Sequence, residues 1–226
     1  MSNIINHLFD DNKKQHRQVR AQLVSSTPKL VSSQSVHEID PAGVALRAQV
    51  SQATFHKCFR SVEDLLSTSA KQVAQELLES IVSAGEPIND SAVRLATKTK
   101  LVIRIATSVP LLGKLMLKAK WPFGDTRFKA YKDIKKDIAE GIQQGCFADV
   151  PLEIAVNLVL STLRGSVQEM LASPQTQNYE EQVIYHLLLS LGVEAKAADE
   201  ISKIPLENFP DLPKSGLVGK VLTLVS

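Results

Sequence analysis

Cysteine is nearly missing from this chain, with only Cys58 and Cys146 among 226 residues. The two lie far apart, in neither a disulfide framework nor metal-ligand spacing, which points to a reducing compartment and two free thiols. No stretch approaches the ~18 uninterrupted apolar residues of a membrane span. Residues 1–11 lack a cationic segment followed by a long apolar run, so no membrane association is expected and the expected location is cytoplasmic. Catalytic signatures are also missing: there is no Gly-x-Ser-x-Gly elbow, no Gly-rich phosphate loop and no His-Glu-x-x-His. The adjacent Glu180 and Glu181 would point to different sides of a helix, and no enzyme is expected. His7, His16, His37, His56 and His186 have no spacing that gathers them on a metal, so no metal and no cofactor are expected. Neither an internal repeat nor a low-complexity tract is found. The formal charge of +2 is too small for the whole surface to bind nucleic acid, and any such binding must rest on a local patch.

What is present is a globular composition, 44% hydrophobic, and one short segment with a clear local logic. Asp40 can cap a first helix with Pro41 at its first helical position, and Ala45 and Ala48 allow close packing. A turn at Gln49 and Val50 ends at Ser51, whose hydroxyl can cap a second helix running to about Lys57. Phe55 and Phe59 face inward from it. Gln52, Thr54, His56 and Lys57 face outward, short or polar enough to reach base edges and phosphates in a major groove, and with Arg47, Ser51 and Arg60 they are the DNA-contact candidates. The window from Pro41 to Arg60 holds Arg47, Lys57 and Arg60 and no acidic residue, a formal charge of +3. Helix, tight turn, helix with a basic outer face is a device for reading double-stranded DNA.

The pattern Ala-x-x-Ala-x-Val-Ser-x-Ala-Thr-Phe-x-x-x-Phe-x-Ser-x-Glu-Asp-Leu-Leu, from Ala45 to Leu66, resembles the N-terminal domain of the TetR family of transcriptional regulators. The resemblance implies an all-α protein: a three-helix helix-turn-helix domain over residues 1–66, a helical effector-binding and dimerisation domain over 67–202, and a Pro/Gly-punctuated tail over 203–226. It also implies a homodimer that represses by binding an inverted repeat and is modulated by a small-molecule effector. Three positions depart from the family pattern. Gln49 stands where glycine is favoured and needs a left-handed conformation. Val62 replaces a lysine that would meet a phosphate. Pro28 should kink or break the first helix. A rival reading follows from these departures: a helical protein-interaction module with the same fold and weakened DNA binding.

Apolar spacing predicts one kinked helix over Asn12–Ser33, or two short pieces divided at Thr27 and Pro28. It further predicts a long helix from Ser61, boxed by Asp64, and helices over Ser91–Ser108, Pro110–Lys120, Thr126–Gln144, Pro151–Leu171, Tyr179–Leu191 and Val193–Ser202. Pro205, Pro210 and Pro213 should prevent regular structure in the tail, whose apolar end from Leu217 to Val225 should pack on the body or a partner. The segments from Pro151 and from Tyr179 are apolar around much of their circumference, which makes Leu160, Leu163, Val167, Ile184, Leu187 and Leu188 candidates for a dimer interface. A central core helix is the alternative. Met116, Trp121, Phe123 and Phe128 are candidates for an effector cavity. Arg104 and Arg164, flanked by apolar residues, are candidates to meet a protein carboxylate or an acidic effector.

Overall fold

The computed structural model describes residues 2–33, 38–118, 129–173, 178–206 and 209–226, with side chains from residue 13 onward except Ala130. Among the described residues all regular structure is helical: α1 (Ser2–Ser33), α2 (Pro41–Arg47), α3 (Gln52–Cys58), α4 (Val62–Gly85), α5 (Ser91–Ser108), α6 (Pro110–Leu117), α7 (Lys129–Gln143), α8 (Leu152–Ala172), α9 (Tyr179–Ser190), α10 (Ala195–Lys203) and α11 (Gly216–Val225).

Of the two readings at Pro28 the single helix holds, and α1 runs through the proline without ending. Proline has no N–H to give the carbonyl four residues back. Here the Thr27 hydroxyl donates to the Val24 oxygen at 2.7 Å and replaces that bond. Thr27 is fully buried, so the orphaned carbonyl could not have turned to water.

Packing forms one continuous apolar core. Leu23 and Leu30 of α1, Phe55 of α3, Phe59 just after it and Leu65 of α4 make its N-terminal part, which runs on into Leu77, Leu95, Ile103, Leu112 and Leu160. Each of the two phenylalanines is essentially removed from water, worth about 1.5–3 kcal/mol apiece. The long helix α4 touches α1 at one end of this core and α5, α6 and α7 at the other.

Two expectations are corrected. The tail is irregular only as far as Ser215; its apolar end packs on the body as expected, but as a helix, Gly216–Val225, whose Leu217, Val218 and Val221 are buried against α1 and α4. The proximate cause is Glu76 of α4, whose carboxylate accepts the N–H groups of Leu217 at 3.1 Å and Val218 at 2.8 Å. A distant side chain thus caps the helix start, which local patterning cannot show. Gly216, at φ +72°, lets that carboxylate approach, since a Cβ there would lie 2.4 Å from Glu76 Oε1. Second, Leu160, Leu163, Val167, Ile184, Leu187 and Leu188 are all buried within the single chain. α8 is apolar on several sides because α5, α6, α7 and α9 surround it. The outer faces of α8 and α9 carry exposed Ile154 and His186 with half-buried Leu158, Val183 and Leu189.

Candidate functional site

The basic segment is built on three capped helix starts. Asp40 Oδ1 accepts the Gly43 N–H at 2.7 Å at the start of α2. Ser51 Oγ accepts the Thr54 N–H at 3.0 Å at the start of α3. Ser61 Oγ accepts the Asp64 N–H at 3.2 Å at the start of α4, while Asp64 Oδ2 takes the Arg60 N–H at 3.2 Å, one residue earlier than in a regular capping box.

Between α2 and α3 the chain turns with Gln49 at φ +53°. Val50 donates to the Ala45 carbonyl at 2.9 Å and Gln49 to the Leu46 carbonyl at 3.0 Å, the bond pair of a Schellman motif, in which glycine usually fills the left-handed position. Gln22 of α1 braces the turn by donating from Nε2 to the Ala48 carbonyl at 2.7 Å. The departure at Gln49 therefore leaves the turn geometry intact.

The turn sets the orientation of α3. Phe55, Cys58 and Phe59 are buried behind it, and Gln52, Ala53, His56 and Lys57 share its exposed face, one helical turn apart in pairs. Thr54 is half covered, with its hydroxyl 2.8 Å from Ser51 Oγ. Arg20 of α1 fixes the far end: its guanidinium lies 4.1 Å over the Phe59 ring and donates to the Cys58 carbonyl at 2.5 Å. His16 Nε2 is 3.3 Å from the Lys57 carbonyl oxygen. Arg47 and Arg60 are exposed on the flanking turns, and none of Arg47, Lys57 and Arg60 is in an ion pair among the described residues. Sequence patterning did not single out exposed Lys13, Lys14 and Arg17 on α1, or Leu46, which is 80% exposed beside Arg47. The basic run before Val19 was the available signal. Val62 is the first residue of α4, half-buried and offering no charge.

A second feature lies in the helical body. An apolar cavity of about 70 Å³ opens between α4, α5, α6, α7 and α8, walled by residues such as Leu77, Val102, Met116, Val159 and Leu163. One end is polar. Lys98 donates to Asp133 Oδ2 at 3.0 Å and to Asp137 Oδ2 at 2.8 Å, and Arg94 Nε donates to Asp137 Oδ1 at 2.8 Å. Arg94 also reaches Glu140, Ser91 Oγ and the Ile88 carbonyl. Of the cavity candidates, Met116 lines this space, as do Leu160 and Leu163 from the dimer candidates. Arg104 does not: it lies on the surface and donates to Glu180 at 3.1 Å. Arg164 is half-buried and donates to the Leu117 carbonyl at 3.1 Å, capping α6. Trp121, Phe123 and Phe128 lie outside the described residues. Buried Lys100 was also missed; it donates to the carbonyls of Ser202 at 2.6 Å and Ile204 at 2.7 Å, and burial holds its ammonium below the ordinary lysine range. Among the described residues there is no cluster of metal ligands and no helix long and apolar enough to cross a membrane.

No protein-family model matches this chain, and no curated protein is significantly similar to it in sequence. Solved structures do share its fold. RolR in complex with resorcinol is 19% identical, with 87% of this chain and 99% of that one covered at a TM-score of 0.69. AibR in complex with isovaleryl coenzyme A and operator DNA is 16% identical, with 76% and 97% covered at 0.52. A TetR family transcription regulator from Marinobacter aquaeolei VT8 is 18% identical, with 82% and 97% covered at 0.53. The eleven helices of the described residues, in this order and opening on a braced helix-turn-helix, give the chain the fold of the TetR-family transcriptional regulators.

Proposed function

We propose that the protein is a homodimeric transcriptional repressor that reads an inverted-repeat operator through α3 and releases it when a small molecule enters the helical body. The observation that carries the reading is the exposed face of Gln52, His56 and Lys57 on a helix held by Ser51 and Arg20. Arg47 and Arg60 flank that face, and neither is in an ion pair among the described residues. Gln52 would read base edges, and the cations would meet phosphates. Residues up to Leu66 would form the DNA-binding part and residues 67–202 the effector and dimer part. The partner subunit would meet the outer faces of α8 and α9, at Ile154, Leu158, Val183 and Leu189, neighbours of the buried residues named from the sequence. AibR, which shares the fold and was solved with operator DNA bound, supports the first half of this reading.

The effector would occupy and widen the cavity beside α4, whose about 70 Å³ is below the ~300–1,000 Å³ of formed small-molecule pockets. Its walls suit a small, largely apolar molecule with one or two hydrogen-bonding groups to meet Lys98, Asp133 and Thr99, and resorcinol, the ligand of RolR, is of that kind. A ligand that favours one position of α4 would change the separation of two recognition helices from the ~34 Å of one DNA turn.

Selection of bound sequences from random DNA tests the reading. The expected product is an inverted repeat bound with strongly salt-dependent affinity, and Lys57→Ala should lower the logarithmic salt slope by about 1. Recovery of no preferred sequence, with capture of a protein partner instead, would establish the interaction-module reading.

A further inference from the structure

A groove of about 610 Å³ runs where α11 meets α1 and the turn after α2, well away from the cavity beside α4. Four cations line it: Lys29 from α1, Arg47 from the end of α2, Lys214 from the segment just before α11 and Lys220 within α11. No lining residue is acidic, and none of the four cations is in an ion pair among the described residues. The carboxylate that meets Gly216 from α4, Glu76, is engaged by the N–H groups of Leu217 and Val218. Gln49 and Ser215 add polar groups to the wall. Four like charges converging from three elements, with no counter-charge among the lining residues, create a positive potential that a bound anion relieves. The volume lies within the ~300–1,000 Å³ of small-molecule pockets.

We propose that this groove is a binding site for a small molecule bearing a diphosphate or triphosphate group. At about −1.5 to −2 per terminal phosphoryl group, two or more phosphoryls match the four cations where a monoanion does not. Lysine and arginine donors hold phosphate oxygens through charge-assisted bonds. The bound anion would tie α11, itself fastened to α4 through Glu76, to α1 and to Arg47. Binding stands without the regulator reading. Only its consequence rests on that reading: an anion that occupies Arg47 competes with DNA, and the two weaken each other by the same factor.

Calorimetric titration of the full chain with inorganic pyrophosphate, orthophosphate and tripolyphosphate, in the absence of DNA, tests the site. One pyrophosphate per chain is expected, with orthophosphate at least about tenfold weaker. The double variant K214Q/K220Q should weaken pyrophosphate binding at least about tenfold while keeping the helical spectrum and thermal midpoint of the parent. K132Q/K196Q, which removes the same charge from exposed positions on α7 and α10, should change it less than about twofold. Absence of saturable binding up to about 5 mM pyrophosphate overturns the proposal, as does equal loss in both double variants. If K214Q/K220Q weakens binding of a DNA fragment and the parent takes no pyrophosphate, the groove serves the DNA backbone and the proposal fails.

Discussion

Removing the Asp137 carboxylate should be among the most damaging single changes in the helical body. It is 3% exposed and accepts two charge-assisted bonds, from Arg94 Nε at 2.8 Å and Lys98 Nζ at 2.8 Å, and so pins α7 to α5. Breaking a buried pair by deleting one partner costs about 3–5 kcal/mol, because the remaining charge loses its compensation. Asp137→Ala belongs at the lower end. Lys98 keeps Asp133, and Arg94 keeps Glu140, Ser91 and the Ile88 carbonyl, so neither cation is stranded. A loss of about 3 kcal/mol corresponds to a fall of about 6–12 °C in thermal midpoint for a chain of this size. Asp133→Ala, whose side chain is 18% exposed and which among the described residues accepts from Lys98 alone, should lose about half as much. Urea unfolding at one fixed chain concentration, which holds any dimerisation constant, gives both numbers. A loss below about 1 kcal/mol for Asp137→Ala, or a larger loss for Asp133→Ala, would mean that water screens the cluster and that the polar end of the cavity is open.

Three further outcomes are expected. Glu76→Ala uncaps α11 and should cost about 1–2 kcal/mol, with the C-terminal helix cut by protease faster than the rest of the chain. Burial lowers the Lys100 ammonium, with Glu180 and Glu181 opposing, so between its folded value and the ordinary 10.5 the unfolded chain binds more protons and stability rises with pH. The difference in urea midpoint between the parent and Lys100→Met should therefore move in the parent's favour from pH 8 to pH 10; a flat difference would remove the argument. Burial also pushes the Cys58 thiol up, against the pull of Arg20, so at pH 8 a thiol reagent should label half-buried Cys146 first and Cys58 only at the rate of unfolding.

Local chemistry was legible in the sequence and distant chemistry was not. Asp40, Ser51 and Ser61 were readable as caps because each bonds within three residues of itself. Ser91–Ser108 has the predicted bounds because Asp90 and Pro110 punctuate it at both ends. The two-piece alternative at Pro28 fails because the lost bond is repaired by the hydroxyl of the preceding residue, which composition rules count as a weak helix former. Periodicity assigned Arg104 to the core and passed over Arg94 and Lys98. The difference between them is whether α7 presents a carboxylate opposite, across some 35–46 positions of sequence. The α11 helix failed for the same reason, since its cap comes from Glu76. A polar-wall cavity and a helix start were both invisible because the groups that complete them belong to other helices.

The left-handed residue between α2 and α3 carries a further implication. A side chain there costs about 1 kcal/mol relative to glycine, and the chain tolerates it because backbone bonds and Gln22 already dictate the turn. What is obtained in return is reach. Where glycine would leave a bare bend, this protein sets an exposed carboxamide on the bend itself, in the wall of the groove that Lys29 and Arg47 also line.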